Sequence, residues 1–174
     1  MLLLYLMVKV SVFRLEHRAV RDKRISTHVA LVARAFGADS IYYSGDKDSE
    51  MEKSVTDIAE SWGGPFTIEH VDSYRKFIKD FKGEKLHLTM YGLPYKTELK
   101  QLDKQDKLII VGGGKVPFEV YEMADRNIAV TSQPHSEVAA LGIFLEHLSG
   151  EKKGFKNAKQ VITPQDCGKK VVEK

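Results

Sequence analysis

The feature that most restricts this chain is the way its apolar runs change period, again and again, from Val8 to Leu148. Val8 to Leu15 alternates as a strand, apolar at Val8, Val10 and Val12. A helix from about Ser26 to Phe36 follows, carried by Val29, Val32, Ala33 and Phe36, with Gly37 beyond its end where C-caps favour glycine. Ser40 to Ser44 reads as a strand, and Ser49-Glu50-Met51-Glu52 has the capping-box spacing that opens a helix through Met51, Val55, Ile58, Ala59 and Trp62. The alternation continues with a strand at Phe66–Val71, a helix at Ser73–Lys82 and a strand at Leu86–Met90. It ends with a basic helix near Glu98–Lys104, a strand at Leu108–Val111 and a short helix at Phe118–Ala124. Strand and helix in such alternation predict an α/β domain on a mostly parallel sheet flanked by helices. The whole chain, 1–174, reads as that one domain, with 151–174 a polar, lysine-rich end holding one possible strand at Val161-Ile162.

The segment Asn127–Leu148 is the most informative part. A short apolar strand (Ile128, Ala129, Val130) runs into a polar loop and then a helix that is apolar on most sides, through Val138, Ala140, Leu141, Phe144 and Leu145. Pro134 suits a first helical turn, with Ser132 and Ser136 as caps. A helix apolar nearly all round is buried. The strand at Leu108–Val111 likewise ends in Gly112-Gly113-Gly114-Lys115, and the strand at Leu86–Met90 ends in Tyr91-Gly92. Small ligands bind past the carboxyl ends of strands in open α/β sheets, so three such loops predict one pocket.

Charge adds a second candidate surface. Over 174 residues the 27 Lys and Arg exceed the 24 Asp and Glu by only three, but Arg14, Arg18, Arg21, Lys23 and Arg24 crowd between the first strand and first helix. Arginine pairs bidentately with phosphate, so this loop is a candidate phosphate contact. Arg34 sits between Ala33 and Ala35, with room to point into a cavity. No pair of histidines has the spacing of a helical zinc site, and no metal is expected. The glycine run followed by Lys115 and Val116 lacks the Ser or Thr of a phosphate loop, which argues against a nucleoside triphosphatase. Cys167, the single cysteine, excludes an internal disulfide and favours a reducing, cytoplasmic compartment. The apolar MLLLYLM at the start is too short to span a bilayer and lacks the pattern of a signal peptide; it is read as an extension of the first strand or a start-site artefact.

Three segments together resemble the archaeal tRNA (cytidine-56) 2′-O-methyltransferase family of the SPOUT superfamily. They are HRAVRDKRISTHVALVARAFGAD from His17, LHLTMYGLP from Leu86 and VGGGKVPFEVYEMADRNIAVTSQPHSEVAALGIFL from Val111. The resemblance implies a SPOUT-type parallel sheet with a C-terminal trefoil knot, a homodimer, and methyl transfer from S-adenosylmethionine to a cytidine ribose in the tRNA T-loop. It carries cofactor contacts to Leu88, to Gly112, Gly113, Gly114, Lys115 and Val116, and to Val130, Thr131, Ser132, Gln133, Pro134, His135, Ser136 and Glu137. It makes Arg34 the arginine that helps activate the attacking 2′-oxygen, leaving Arg18, Arg21 and Arg24 to bind tRNA phosphates. The chain departs from the pattern at Thr27-His28 and near His135, where the superfamily usually has asparagines. It also has Gly113-Gly114 where the family usually has Ala-Glu. A SPOUT enzyme acting on another nucleotide and a non-catalytic RNA-binding module are the alternatives.

Overall fold

The computed structural model describes residues 8–149 and 155–174. The expectations for residues 1–7, and for 151–154 within the polar end, lie outside those described residues. The elements run β1 (Val10–His17), α1 (Ala19–Ala35), β2 (Ser40–Gly45), α2 (Ser49–Trp62), β3 (Thr67–His70), α3 (Tyr74–Asp80) and β4 (Glu84–Pro94). They continue with α4 (Tyr95–Glu98) and a 3-10 turn at Leu99–Gln101, then β5 (Lys107–Gly112), α5 (Phe118–Met123), β6 (Arg126–Ala129) and α6 (Glu137–Ser149). A hairpin of β7 (Gln160–Thr163) and β8 (Lys170–Glu173) closes the chain.

The first six strands form one sheet in the order β3-β2-β1-β5-β4-β6, every pairing parallel. Helices cover both faces, which is why β5 reads as an unbroken apolar run instead of an alternating one. Its Ile109 and Val111 join Val12, Val29, Ala33, Leu141, Phe144 and Leu145 on the α1 and α6 side. Leu108 and Ile110 pack with Phe13, Tyr74, Ile78 and Val120 on the α3 and α5 side. At the amino edge Lys107, nearly fully buried, bonds Glu84 and Asp103, while Arg126 bridges Glu84 and Glu98 at 2.8 and 2.9 Å. Each buried charge there has a partner, as burial requires.

Several sequence expectations are corrected. The basic segment expected as a loop forms the first turns of α1, because its cap comes from elsewhere: the Ala19 N–H donates to Asp46 Oδ2 at 3.0 Å. Arg18 Nε also reaches Asp22 at 2.8 Å, one turn along. The basic helix near Glu98–Lys104 is α4 and the 3-10 turn, ending by Gln101. Pro134 lies before α6 and not in its first turn; Ser136 does act locally, its Oγ accepting from Val138 N at 3.2 Å. α6 is not buried all round, since Ile143 remains 43% exposed. The strand expected at Val161-Ile162 is present and has gained a partner in β8.

Asp46→Ala removes the cap of α1 and is expected to cost about 1 kcal/mol, the usual worth of an N-cap, read as a lower denaturant midpoint at unchanged slope.

Candidate active site at the carboxyl edge of the sheet

The three loops do meet. β4 pairs with β6 through Leu88↔Ile128, leaves the sheet, and returns to pair Leu93 with the same Ile128. The excursion Thr89–Gly92 is possible because residue 92 is glycine: a Cβ there would lie 2.4 Å from the Asn127 carbonyl carbon and the Ile128 nitrogen. The excursion, the loop after β5 and the loop after β6 enclose a cavity of about 250 Å³. Its lining includes Leu88, Tyr91, Gly112, Tyr121, Val130 and Glu137.

A second cavity of about 430 Å³ opens on the other side of the Gly112–Gly114 loop, lined by Arg14, Glu16, His17, Arg18, Asp22 and Asp46 among others. Its floor is a bulge in β1, where pairing with β2 shifts between Arg14 and His17. His17 is buried there, Nδ1 bonded to Ser26 Oγ at 2.9 Å and Nε2 3.4 Å from Asp48. Arg14 stands between the two cavities, 2% exposed. Its Nη1 donates to the Leu15 carbonyl at 2.9 Å, its Nη2 lies 3.4 Å from Glu137 Oε1, and its Nε has no partner. Burial pulls the Arg14 pKa down while Glu137 pulls it up.

The expected cofactor residues divide. Leu88, Gly112, Gly113, Gly114, Val116, Val130, Pro134, His135 and Glu137 line the first cavity, whereas Lys115 lines the second. Thr131, Ser132, Gln133 and Ser136 are exposed on the same loop without lining either. Arg18 lines the second cavity, clamped to Asp22 by bonds of 2.8 and 3.3 Å. That bond holds the Asp22 carboxyl below the usual carboxylate range, so the pair is intact at neutral pH and opens only as pH falls through the lowered value. Arg21 and Arg24 lie exposed along α1.

Arg34 lies apart from both cavities, lining a separate one with Trp62, Phe155 and Ile162. α1 leaves the carboxyl edge and runs back toward the amino edge, so Arg34 ends about 22 Å along the helix from Ala19. There it donates to the Gly63 carbonyl from Nε and Nη2 at 3.1 and 2.6 Å and stacks over the Phe155 ring. Within one chain it reaches neither cavity. Sequence reasoning passed over Arg14 as one of several loop arginines, and missed His87 and Tyr121 altogether. The period-2 alternation of β1 was the signal that could have set Arg14 apart. Among the described residues no group of three His, Cys, Asp or Glu side chains converges as a metal site.

The sheet, its helices and a cavity at its carboxyl edge define the fold of the SpoU-type RNA methyltransferases. The A. aeolicus TrmH/SpoU tRNA modifying enzyme superposes with a TM-score of 0.61 at 18% identity, over 80% of this chain and 73% of that one. AviRb of Streptomyces viridochromogenes in complex with AdoMet does so at 0.58 and 12%, over 83% of this chain and 59% of that one. Within that fold the chain belongs to the family described as tRNA ribose 2′-O-methyltransferase, aTrm56, whose model matches residues 62–172. The tRNA (cytidine(56)-2′-O)-methyltransferase of Pyrococcus horikoshii is 52% identical over 172 residues, covering 94% of this chain and 85% of the relative. That of Archaeoglobus fulgidus is 51% identical over 168 residues, covering 95% and 99%.

Replacing Arg21 and Arg24 together by alanine is expected to weaken RNA binding and to flatten the plot of log K against log salt by about 1.5–2, measured by filter binding across a salt series. Gly92→Ala is expected to lower the melting temperature and weaken ligand binding in the first cavity together, because the Cβ would push β4 off the Asn127–Ile128 backbone that carries the cavity wall.

Proposed function

We propose that this chain transfers a methyl group from S-adenosylmethionine to the ribose 2′-hydroxyl of cytidine 56 in the T-loop of tRNA. The observation that carries the reading is the pair of cavities sharing one glycine wall at the carboxyl edge of the sheet, with buried Arg14 facing half-buried Glu137 between them. One cavity suits a cofactor and the other a nucleotide. Family membership supplies the substrate class, and the names of the relatives supply the position.

The first cavity fits the cofactor. Leu88, Val116, Val130 and Ala140 offer apolar surface, and Gly112–Gly114 leave backbone groups open to close approach. The buried Nε2 of His87 has no partner there. Bound there, S-adenosylmethionine supplies an electrophilic methyl carbon on a sulfonium.

The chain's residues then have three tasks. Arg18, Arg21 and Arg24 hold RNA phosphates, Arg18 by exchanging Asp22 for a phosphate oxygen. Glu137, oriented by Arg14, accepts the proton of the 2′-hydroxyl. Arg14 stabilises the negative charge that develops on the oxygen, in a site where little water competes. Aligning the oxygen for in-line attack is the larger part of the work.

The reading extends to architecture. It takes the chain as one domain whose C-terminal part threads a trefoil knot, a reading that the parallel order β3-β2-β1-β5-β4-β6 supports without tracing the threading itself. α4 and α6 share one face of the sheet, and the Tyr95 and His147 rings meet edge to face at 5.2 Å. The working unit is a homodimer: Ile143 on α6 and Ile162, Val171 and Val172 on the hairpin leave apolar surface for a second copy. No described helix is long and apolar enough to cross a membrane, and the exposed, unpaired Cys167 suits the reducing cytoplasm.

Labelled methyl transfer to unmodified tRNA, with the product nucleotide mapped by mass spectrometry, is expected to place the label on the ribose of cytidine 56. Label on another nucleotide would overturn the specificity. In the same assay Arg14→Ala is expected to lose at least a hundredfold in rate. Arg34→Ala is expected to lose about 1–3 kcal/mol of stability, because the Gly63 carbonyl loses both its donors, and a loss of transfer beyond that would place Arg34 at the site of a second copy.

A further inference from the structure

His87 is a buried group that the mechanism above does not use. It lies on β4 beside Asn127 of β6, is fully buried, lines the first cavity and stands edge-on to Tyr121 at 4.6 Å. Two hydrogen bonds fix its protons. Asn127 Nδ2 donates to the Tyr121 carbonyl at 2.9 Å, and a carbonyl can only accept. The amide oxygen of Asn127 therefore faces His87 Nδ1, 2.9 Å away, and accepts from an N–H there. Burial holds the ring's pKa below the ordinary histidine value, partly opposed by the Asn127 bond, with no charged group contributing. The ring is neutral, its proton is on Nδ1, and Nε2, itself buried, keeps a lone pair that no protein group meets. A buried acceptor left unmatched costs free energy that a ligand's donor would recover.

We propose that His87 Nε2 is a specificity-determining acceptor that takes a hydrogen bond from a neutral N–H or O–H donor at the adenosine end of the cofactor. The inference rests on the cofactor reading given above. A neutral donor fits because no charged group bears on His87, and the carboxylate lining this cavity, Glu137, comes from α6 and lies beside Arg14. An ammonium would need a carboxylate of its own beside His87. The adenosine donors are the exocyclic amine and the two ribose hydroxyls. Asn127 is a positioning residue: it touches no ligand but sets which ring nitrogen carries the proton.

The test is calorimetric binding of S-adenosylhomocysteine and three analogues, inosine-based, 2′-deoxy and 3′-deoxy, to wild type and to His87→Phe. Wild type is expected to bind one analogue about tenfold more weakly than the parent. His87→Phe is expected to bind the parent about tenfold more weakly and to show no further loss for that analogue. Which analogue it is distinguishes amine from hydroxyl. Unchanged binding of all four by His87→Phe overturns the proposal, as does a uniform loss that leaves every analogue's penalty in place. If folded wild type binds none of the four, the cofactor reading falls and the inference with it. Asn127→Asp provides an arm independent of ring removal. Its carboxylate would stabilise the imidazolium and turn Nε2 into a donor. Affinity for S-adenosylhomocysteine should then fall several-fold from pH 8 to pH 6, where wild type stays flat. A profile as flat as wild type overturns the acceptor role.

Discussion

The carboxyl edge of this sheet depends on how closely three pieces of chain approach Asn127 and Ile128. Gly92 brings the returning end of β4 against their backbone at a distance no side chain would permit. On the other side the Asn127 amide bonds both the His87 ring and the Tyr121 carbonyl of α5. One dipeptide thus anchors the wall of the first cavity and the helix beside it, and its own strand leads into the third loop. The buried pairs around Lys107 and Arg126 hold the opposite end of the same strands. With both edges pinned, the loops between them can be irregular and glycine-rich without loss of register.

Much of this was legible in the chain itself. Period changes located the six sheet strands, and the glycines and polar residues after β4, β5 and β6 marked the ligand-facing edge. What could not be read locally depended on partners far away in sequence. The first turns of α1 look like a loop because their cap, Asp46, arrives with the next strand-to-helix connection. The proton position on His87 is set by a residue 40 positions on. The hairpin partner β8 could not be inferred from a single apolar pair at Val161-Ile162.

Arg34 shows a different limit. A motif resemblance fixes which residues correspond but not where along a helix they end up. In a parallel α/β sheet each helix runs antiparallel to its strands, so a residue late in α1 returns to the amino edge. Arg34 found there a carbonyl and an aromatic ring, and became part of the attachment of the C-terminal segment. Arg14 remains at the carboxyl edge because it belongs to the strand. Its near-complete burial beside Glu137 gives it the electrostatic leverage that an exposed arginine lacks.

The shared wall between the two cavities has a thermodynamic corollary. Gly112, Gly113 and Gly114 belong to both, so a molecule that stiffens this loop from one side prepays part of the conformational entropy for a molecule arriving on the other. Such coupling is reciprocal: whatever factor one occupant adds to the affinity of the second, the second returns to the first. A loop of three glycines maximises the entropy available for this exchange. The glycine run is thus the stretch of backbone through which two such binding equilibria would be linked.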